Sequence, residues 1–174
     1  EYIRGYIETR STGSGGITIN PSFTNDVKIA QFPPSITEIT RNPVIVSPGQ
    51  EVSVTAKIKD RDGTVDTAVL YFRKDLGENV EVAMTNLTDS TFQATIPSQT
   101  DSCVIDYFIQ AIDNQGNVSN TPSDTTKNRY FYLVLNRPLT IQDVQYSPFG
   151  SGFSAYNNNE VTVSGIVTAD TSDI

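Results

Sequence analysis

The chain has 174 residues, a formal net charge of −8, one cysteine and no histidine. Contact with nucleic-acid phosphates requires clustered lysine and arginine, so we expect no nucleic-acid partner for this acidic chain. One cysteine excludes an internal disulfide, and the lack of histidine removes the most common general base and metal ligand. No apolar run approaches 18 residues, so the sequence predicts no membrane-spanning helix. These features favour a non-enzymatic segment.

The first two predicted strands lie at residues 36–40 and 50–59. The first follows the Pro33-Pro34 pair, and proline is tolerated at strand starts and on edge strands. The second alternates along its whole length, with apolar residues on one face and polar residues on the other. Such alternation is typical of a strand with one buried face.

Five further strands are predicted along the chain, each bounded by turn residues. They lie at residues 65–73, 80–84, 91–96, 104–112 and 129–135. Polar runs at residues 86–90 and 117–126 are predicted as loops. Seven short strands at this spacing, without a helical period, predict an all-β antiparallel sandwich.

The most specific motif of the chain is the spacing Tyr-x-Ile-x-Ala-x-Asp-x-x-Gly from Tyr107 to Gly116. It resembles the penultimate strand and following turn of fibronectin type III and related bacterial immunoglobulin-like domains. The resemblance implies a seven-stranded sandwich over residues 32–137. It also implies a secreted or cell-surface location in a bacterial protein.

The two flanks resemble parts of another module, the oligonucleotide/oligosaccharide-binding (OB) fold of large secreted bacterial proteins. Residues 138–174 are similar to its opening, with strand-like runs at 139–145 and 160–169, and residues 1–31 are similar to its closing strands. We therefore expect partial β-barrel strands on both sides of the sandwich, in a piece of a longer polypeptide. Such strands would pair with other parts of that polypeptide or with another copy.

Two acidic turns are candidate metal ligands. Asp60 and Asp62 follow one predicted strand and Asp113 follows another, and in a sandwich both turns emerge at the same end. Carboxylate and amide oxygens are the ligands that Ca²⁺ prefers. The alternative needs no ion, because Asp and Asn also bond to their own backbone in tight turns. We expect folding without a cofactor, with a weak calcium site at these three aspartates as the alternative.

Cys103 and a set of aromatic residues each allow a structural and a functional interpretation. Cys103 has no histidine to activate it, which favours a small half-buried residue over a nucleophile. A set of aromatic side chains is either core packing or an exposed platform for a cell-surface glycan. The set comprises Tyr71, Phe72, Phe108, Tyr130, Phe131 and Tyr132.

The favoured function is a non-enzymatic extracellular spacer, structural or adhesive. Its partners would be neighbouring domains of the same polypeptide or further copies that assemble through strand pairing of the ends. One alternative is an accessory, non-catalytic module of a secreted nuclease or hydrolase. Another is a carbohydrate-binding or calcium-binding module.

Overall fold

A computed structural model describes residues 31–165. These residues form nine β-strands and one short helix. The strands are β1 Ser35–Asn42, β2 Val52–Lys59, β3 Val65–Lys74, β4 Val80–Ala83, β5 Thr85–Thr88, β6 Thr91–Ile96, β7 Cys103–Asp113, β8 Val118–Thr121 and β9 Tyr130–Val134, and the helix is α1 Ile141–Gln145. The fold class predicted from the sequence, all-β and antiparallel, is confirmed for this part of the chain.

The strands form two antiparallel sheets. The first has four strands in the order β1-β2-β6-β5. The second has the order β4-β3-β7, and both β8 and β9 pair with the free edge of β7. β9 pairs with residues 103–107 of β7, whereas β8 pairs with residues 109–112. The long strand β7 is therefore the central strand of its sheet.

A core of apolar side chains from both sheets lies between them. The predicted inward face of β7 is confirmed, since Ile105, Tyr107, Ile109 and Ala111 are all buried. The inward face of β2 is confirmed in the same way, because its side chains alternate between buried and more accessible positions. Burial of these alternating faces is what holds the two sheets together.

Residues 31–165 contain nine strands where the alternation predicts seven. The two additional strands, β5 and β8, lie in the polar runs that the sequence assigns to loops. Each has only four residues and none of them is fully buried, so hydrophobic periodicity could not reveal them. Backbone pairing with β6 and β7 defines them instead.

The segment after the sandwich also differs from expectation. Residues 141–145, part of a predicted strand-like run, form α1. The helix begins at Thr140, whose side chain accepts a hydrogen bond from the Asp143 backbone while the Asp143 carboxylate accepts one from the Thr140 backbone. This reciprocal capping stabilises a helix start and outweighs the weak alternation.

The rest of the predicted flanking strands is only partly described. Residues 160–165 have no regular secondary structure. Residues 166–169 of that predicted run and the predicted closing strands at residues 1–30 lie outside the described residues. Within the described part, no helix has the length and apolar character needed to cross a membrane.

Candidate functional site

Asp113 closes its own turn at the end of β7. One carboxylate oxygen, Oδ1, accepts hydrogen bonds from the backbone amides of Gln115 and Asn117, both at 2.8 Å. The other, Oδ2, accepts one from the Asn117 side-chain amide, also at 2.8 Å. Burial alone would raise the pKa of Asp113, but these hydrogen bonds outweigh it and lower the pKa. Turn formation alone accounts for this aspartate.

Asp60 and Asp62 lie in the turn between β2 and β3. Asp60 Oδ1 accepts a hydrogen bond from the Arg61 amide at 2.6 Å, and the Asp62 carboxylate accepts one from the Phe32 amide at 3.3 Å. A Cβ atom at Gly63 would lie 2.7 Å from Asp60 Oδ2 and closer still to Asn114 Oδ1, so a larger residue here would have to displace both side chains. Among residues 31–165, no three acidic, cysteine or histidine side chains are grouped to hold a metal ion. The calcium site at Asp60, Asp62 and Asp113 stays a prediction.

The aromatic residues pack in different places, some in the core between the sheets and some on the outer face of a sheet. Tyr132 and Phe72 belong to the core between the sheets. Phe131 points out of the opposite face of β9, where it is covered by Tyr146 and Phe149 at ring-centroid distances of 6.0 and 5.8 Å. Most of the set is therefore buried, as the packing interpretation predicts, and it does not form one exposed platform.

Cys103 is buried at the start of β7. Burial raises the pKa of its thiol, and the nearby Asp75 carboxylate raises it further. A thiol with a raised pKa is a poor nucleophile at neutral pH, which favours the packing role.

An ion cluster lies on the outer face of the second sheet, and the sequence analysis missed it. Asp106 is fully buried, although strand parity places it opposite the core. Its carboxylate accepts hydrogen bonds from Arg73 Nε at 2.8 and 3.0 Å, and Arg129 Nη1 lies 2.8 Å away. The guanidinium of Arg129 also lies 4.7 Å from the ring centroid of Phe108. The available signal was the pairing of Arg73 opposite Asp106 in neighbouring strands.

A pocket of about 600 Å³ lies beside this cluster. Its walls come from β1, from the start of β9 and from residues 151–159. Aromatic residues and asparagines line it together: Tyr130, Phe131 and Phe153, with Asn128 and the three asparagines at 157–159. The walls are distant in sequence, so no local motif could have revealed the pocket.

Arg41 joins two walls of the pocket. Its Nη2 atom donates hydrogen bonds to the carbonyl oxygens of Val44, at 3.1 Å, and Ala155, at 2.8 Å. The guanidinium carbon lies 5.7 Å from the ring centroid of Tyr132 and 5.9 Å from that of Tyr156. Unlike Arg129, Arg41 makes no ion pair with a carboxylate in the described part of the chain.

The junction after the sandwich is fixed by a second ion pair. Arg137 donates to both carboxylate oxygens of Asp143, at 2.6 and 2.8 Å. These hydrogen bonds hold the pKa of Asp143 well below its usual range, against the opposing effect of burial. Leu139, Ala155 and Tyr156 pack with Phe131 in a small apolar cluster. The residues after β9 therefore pack on the outer face of that strand.

No protein-family model matches the chain, and no curated protein matches it either. Among solved structures, it is similar to a conjugative transposon lipoprotein from Bacteroides eggerthii, with 14% identity and a TM-score of 0.31 over 59% of this chain and 95% of that one. It is also similar to a conjugate transposon protein (residues 27–141) from Bacteroides vulgatus, with 17% identity and a TM-score of 0.29 over 65% of this chain and 93% of that one. Scores this low carry no argument about function.

Proposed function

We propose that the chain is a non-catalytic, extracellular structural segment of a bacterial surface or secreted protein. In this proposal, residues 32–137 are a domain of the immunoglobulin/fibronectin type III kind. The order β1-β2-β6-β5 in one sheet and β4-β3-β7 in the other supports it, together with the buried Tyr107 in the central strand. The short strand β8, which pairs with β7 beside β9, is an addition to that plan.

The observation that carries the spacer role is the fixed junction after β9. A spacer must set the direction in which the next module leaves, and a flexible linker cannot do this. Here the chain bends at Asn136 and Arg137 and is then held by the Arg137 pair with Asp143 and by the Arg41 bond to the Ala155 carbonyl. Ion pairs with bidentate geometry are among the more directional contacts in proteins.

The flanks belong to neighbouring modules in this proposal. Residues 160–165 are largely exposed and unpaired within the described part of the chain. We propose that the run they begin pairs with strands of the same polypeptide or of another copy, as the resemblance to a partial OB module implies.

Distance measurements between spin labels on the full chain test the fixed junction. One label replaces Lys59 at the end of β2 and the other replaces Gln145 in α1, in a Cys103→Ala background whose melting temperature is checked first. Both labelled positions are exposed. We expect a single narrow distance distribution, because the junction contacts hold α1 against β9.

Two variants sharpen this measurement. Arg137→Gln removes the ion pair with Asp143 and should broaden the distribution, whereas Lys127→Gln removes an exposed cation that pairs within its own loop and should leave it unchanged. A broad distribution in the unsubstituted chain would contradict the spacer role. So would a distribution that Arg137→Gln does not alter.

A further inference from the structure

We propose that the pocket between β1, the start of β9 and residues 151–159 binds a saccharide that carries a carboxylate, of the uronic acid class. This goes beyond the structural role and does not depend on it. Of the aromatic platform considered from the sequence, Tyr130 and Phe131 line this pocket and the other four residues do not.

The size and the mixed lining of the pocket fit a short oligosaccharide. Pockets that take small organic ligands have volumes of roughly 300–1,000 Å³, and this one has about 600 Å³. A sugar has apolar C–H faces and a polar rim of hydroxyl groups. Tyr130 and the exposed ring of Phe153 offer apolar surface for the faces, while Asn128 and the asparagines at 157–159 offer donors and acceptors for the rim.

Buried polar atoms in the pocket wall lack partners in the described part of the chain. The Nε atom of Arg129 has no hydrogen bond, although its side chain is only 3% exposed. The Nε atom of Arg41 and the Oδ1 atom of Asn128 are also buried and also lack a hydrogen-bond partner there. Buried polar atoms in folded proteins are rarely left unpaired, so these side chains have unused hydrogen-bonding capacity, which an occupant reaches only when the side chains shift.

The charge of the lining specifies the carboxylate. Among residues 31–165, two arginines line the pocket and no aspartate or glutamate does. Asp106 compensates Arg129. Arg41 contacts two carbonyl oxygens, two rings and the Tyr107 side chain, and it has no carboxylate partner in this part of the chain. A cation without a carboxylate partner beside a cavity favours an anionic ligand, and the guanidinium group matches a carboxylate geometrically. This local positive charge stands out in a chain whose net charge is −8.

Titration of the full chain with a trimer of galacturonic acid tests the proposal. The matched control ligand is the methyl ester of the same trimer, which keeps the rings and hydroxyl groups but removes the negative charge. Calorimetry should detect binding of the acid, and binding of the ester at least about tenfold weaker, because the ester loses the charge-assisted contact to Arg41.

Substitutions locate the binding to the pocket. Phe153→Ala removes a ring that is 65% exposed, so it should weaken binding while leaving the melting temperature unchanged. Arg41→Gln should reduce the preference for the acid over the ester. Leu87→Ala on β5 and Arg61→Gln are matched controls away from the pocket and should have no effect.

Four outcomes would overturn the proposal. The first is no binding of the acidic trimer to a chain whose folding is verified. The second is equal affinity for the acid and its methyl ester. The third is binding that Phe153→Ala leaves unchanged. The fourth is binding only of an acidic peptide offered at the same concentrations. Because Phe153 is exposed, its variant remains informative even if Arg41→Gln does not fold.

Discussion

Replacement of Asp106 by alanine should cost far more stability than replacement of an ordinary surface aspartate. The change leaves two guanidinium groups without their shared carboxylate. Arg73 has a side chain that is 25% exposed and can regain water, whereas that of Arg129 is 3% exposed and cannot. Removing one partner of a buried ion pair costs about 3–5 kcal/mol, so we expect a loss in that range, due mainly to Arg129.

Urea unfolding of the full chain measures this loss. The protein has eight tyrosines and no tryptophan, so tyrosine fluorescence and circular dichroism are the suitable signals. Asp66→Ala is the matched control, because Asp66 is exposed and its one side-chain hydrogen bond within residues 31–165 comes from its neighbour Thr67. This variant should change stability by less than about 0.5 kcal/mol. A loss below about 1 kcal/mol for Asp106→Ala would refute the reasoning.

A compensating variant separates the buried charge from the lost contacts. Replacing Asp106 by leucine and both arginines by methionine removes all three charges together. Buried ion clusters can often be exchanged for apolar side chains at little cost, so this triple variant should recover most of the stability lost in Asp106→Ala. If it is no more stable than Asp106→Ala, the penalty does not come from unpaired arginine.

Three further predictions concern single groups. Tyr107→Ala should reduce the free energy of unfolding by about 3–5 kcal/mol because the ring is buried in the core, and a loss below about 1 kcal/mol in urea titration would contradict the packing. The melting temperature of the unsubstituted chain should exceed that of Asp143→Asn at pH 7, because the pKa of Asp143 is lower in the folded chain than its value of about 3.9 in the unfolded chain. The difference should shrink as the pH falls below about 4, and a constant difference would contradict this prediction. Calcium should leave the melting temperature unchanged. The weak calcium site would instead be established if calorimetry detected calcium binding to the unsubstituted chain but not to Asp60→Asn/Asp113→Asn.

The parts of the fold that the sequence predicts best are those where one face of a strand is forced into the core. In β2, an alternation of apolar and polar residues over eight positions leaves only one register that buries the apolar face. In β7, one face is wholly apolar from Ile105 to Ala111 while the other is mixed. The core-facing residues of both strands are assigned correctly. The short strands β5 and β8 carry no such pattern, because edge pairing depends on the backbone and not on side chains.

Asp106 shows the limit of a face assignment made from one strand. Parity correctly puts it opposite the core, but that face is covered by two arginines, one of them 23 residues further along the chain. The helix at residues 141–145 shows a second limit, since one capping interaction outweighs a short alternation. The pocket depends on three separated segments, so only the topology brings its walls together.

Single-molecule force spectroscopy on the full chain tests the structural role most directly. Residues 35–134 comprise the sandwich strands, and about 100 residues at roughly 3.5 Å each correspond to about 350 Å of extended chain. We expect one discrete unfolding event that releases most of this length. In Arg137→Gln, the residues after β9 should detach before this event, at a lower force than in the unsubstituted chain. Extension without any discrete event would mean that the sandwich does not resist force, which would contradict its role as a spacer.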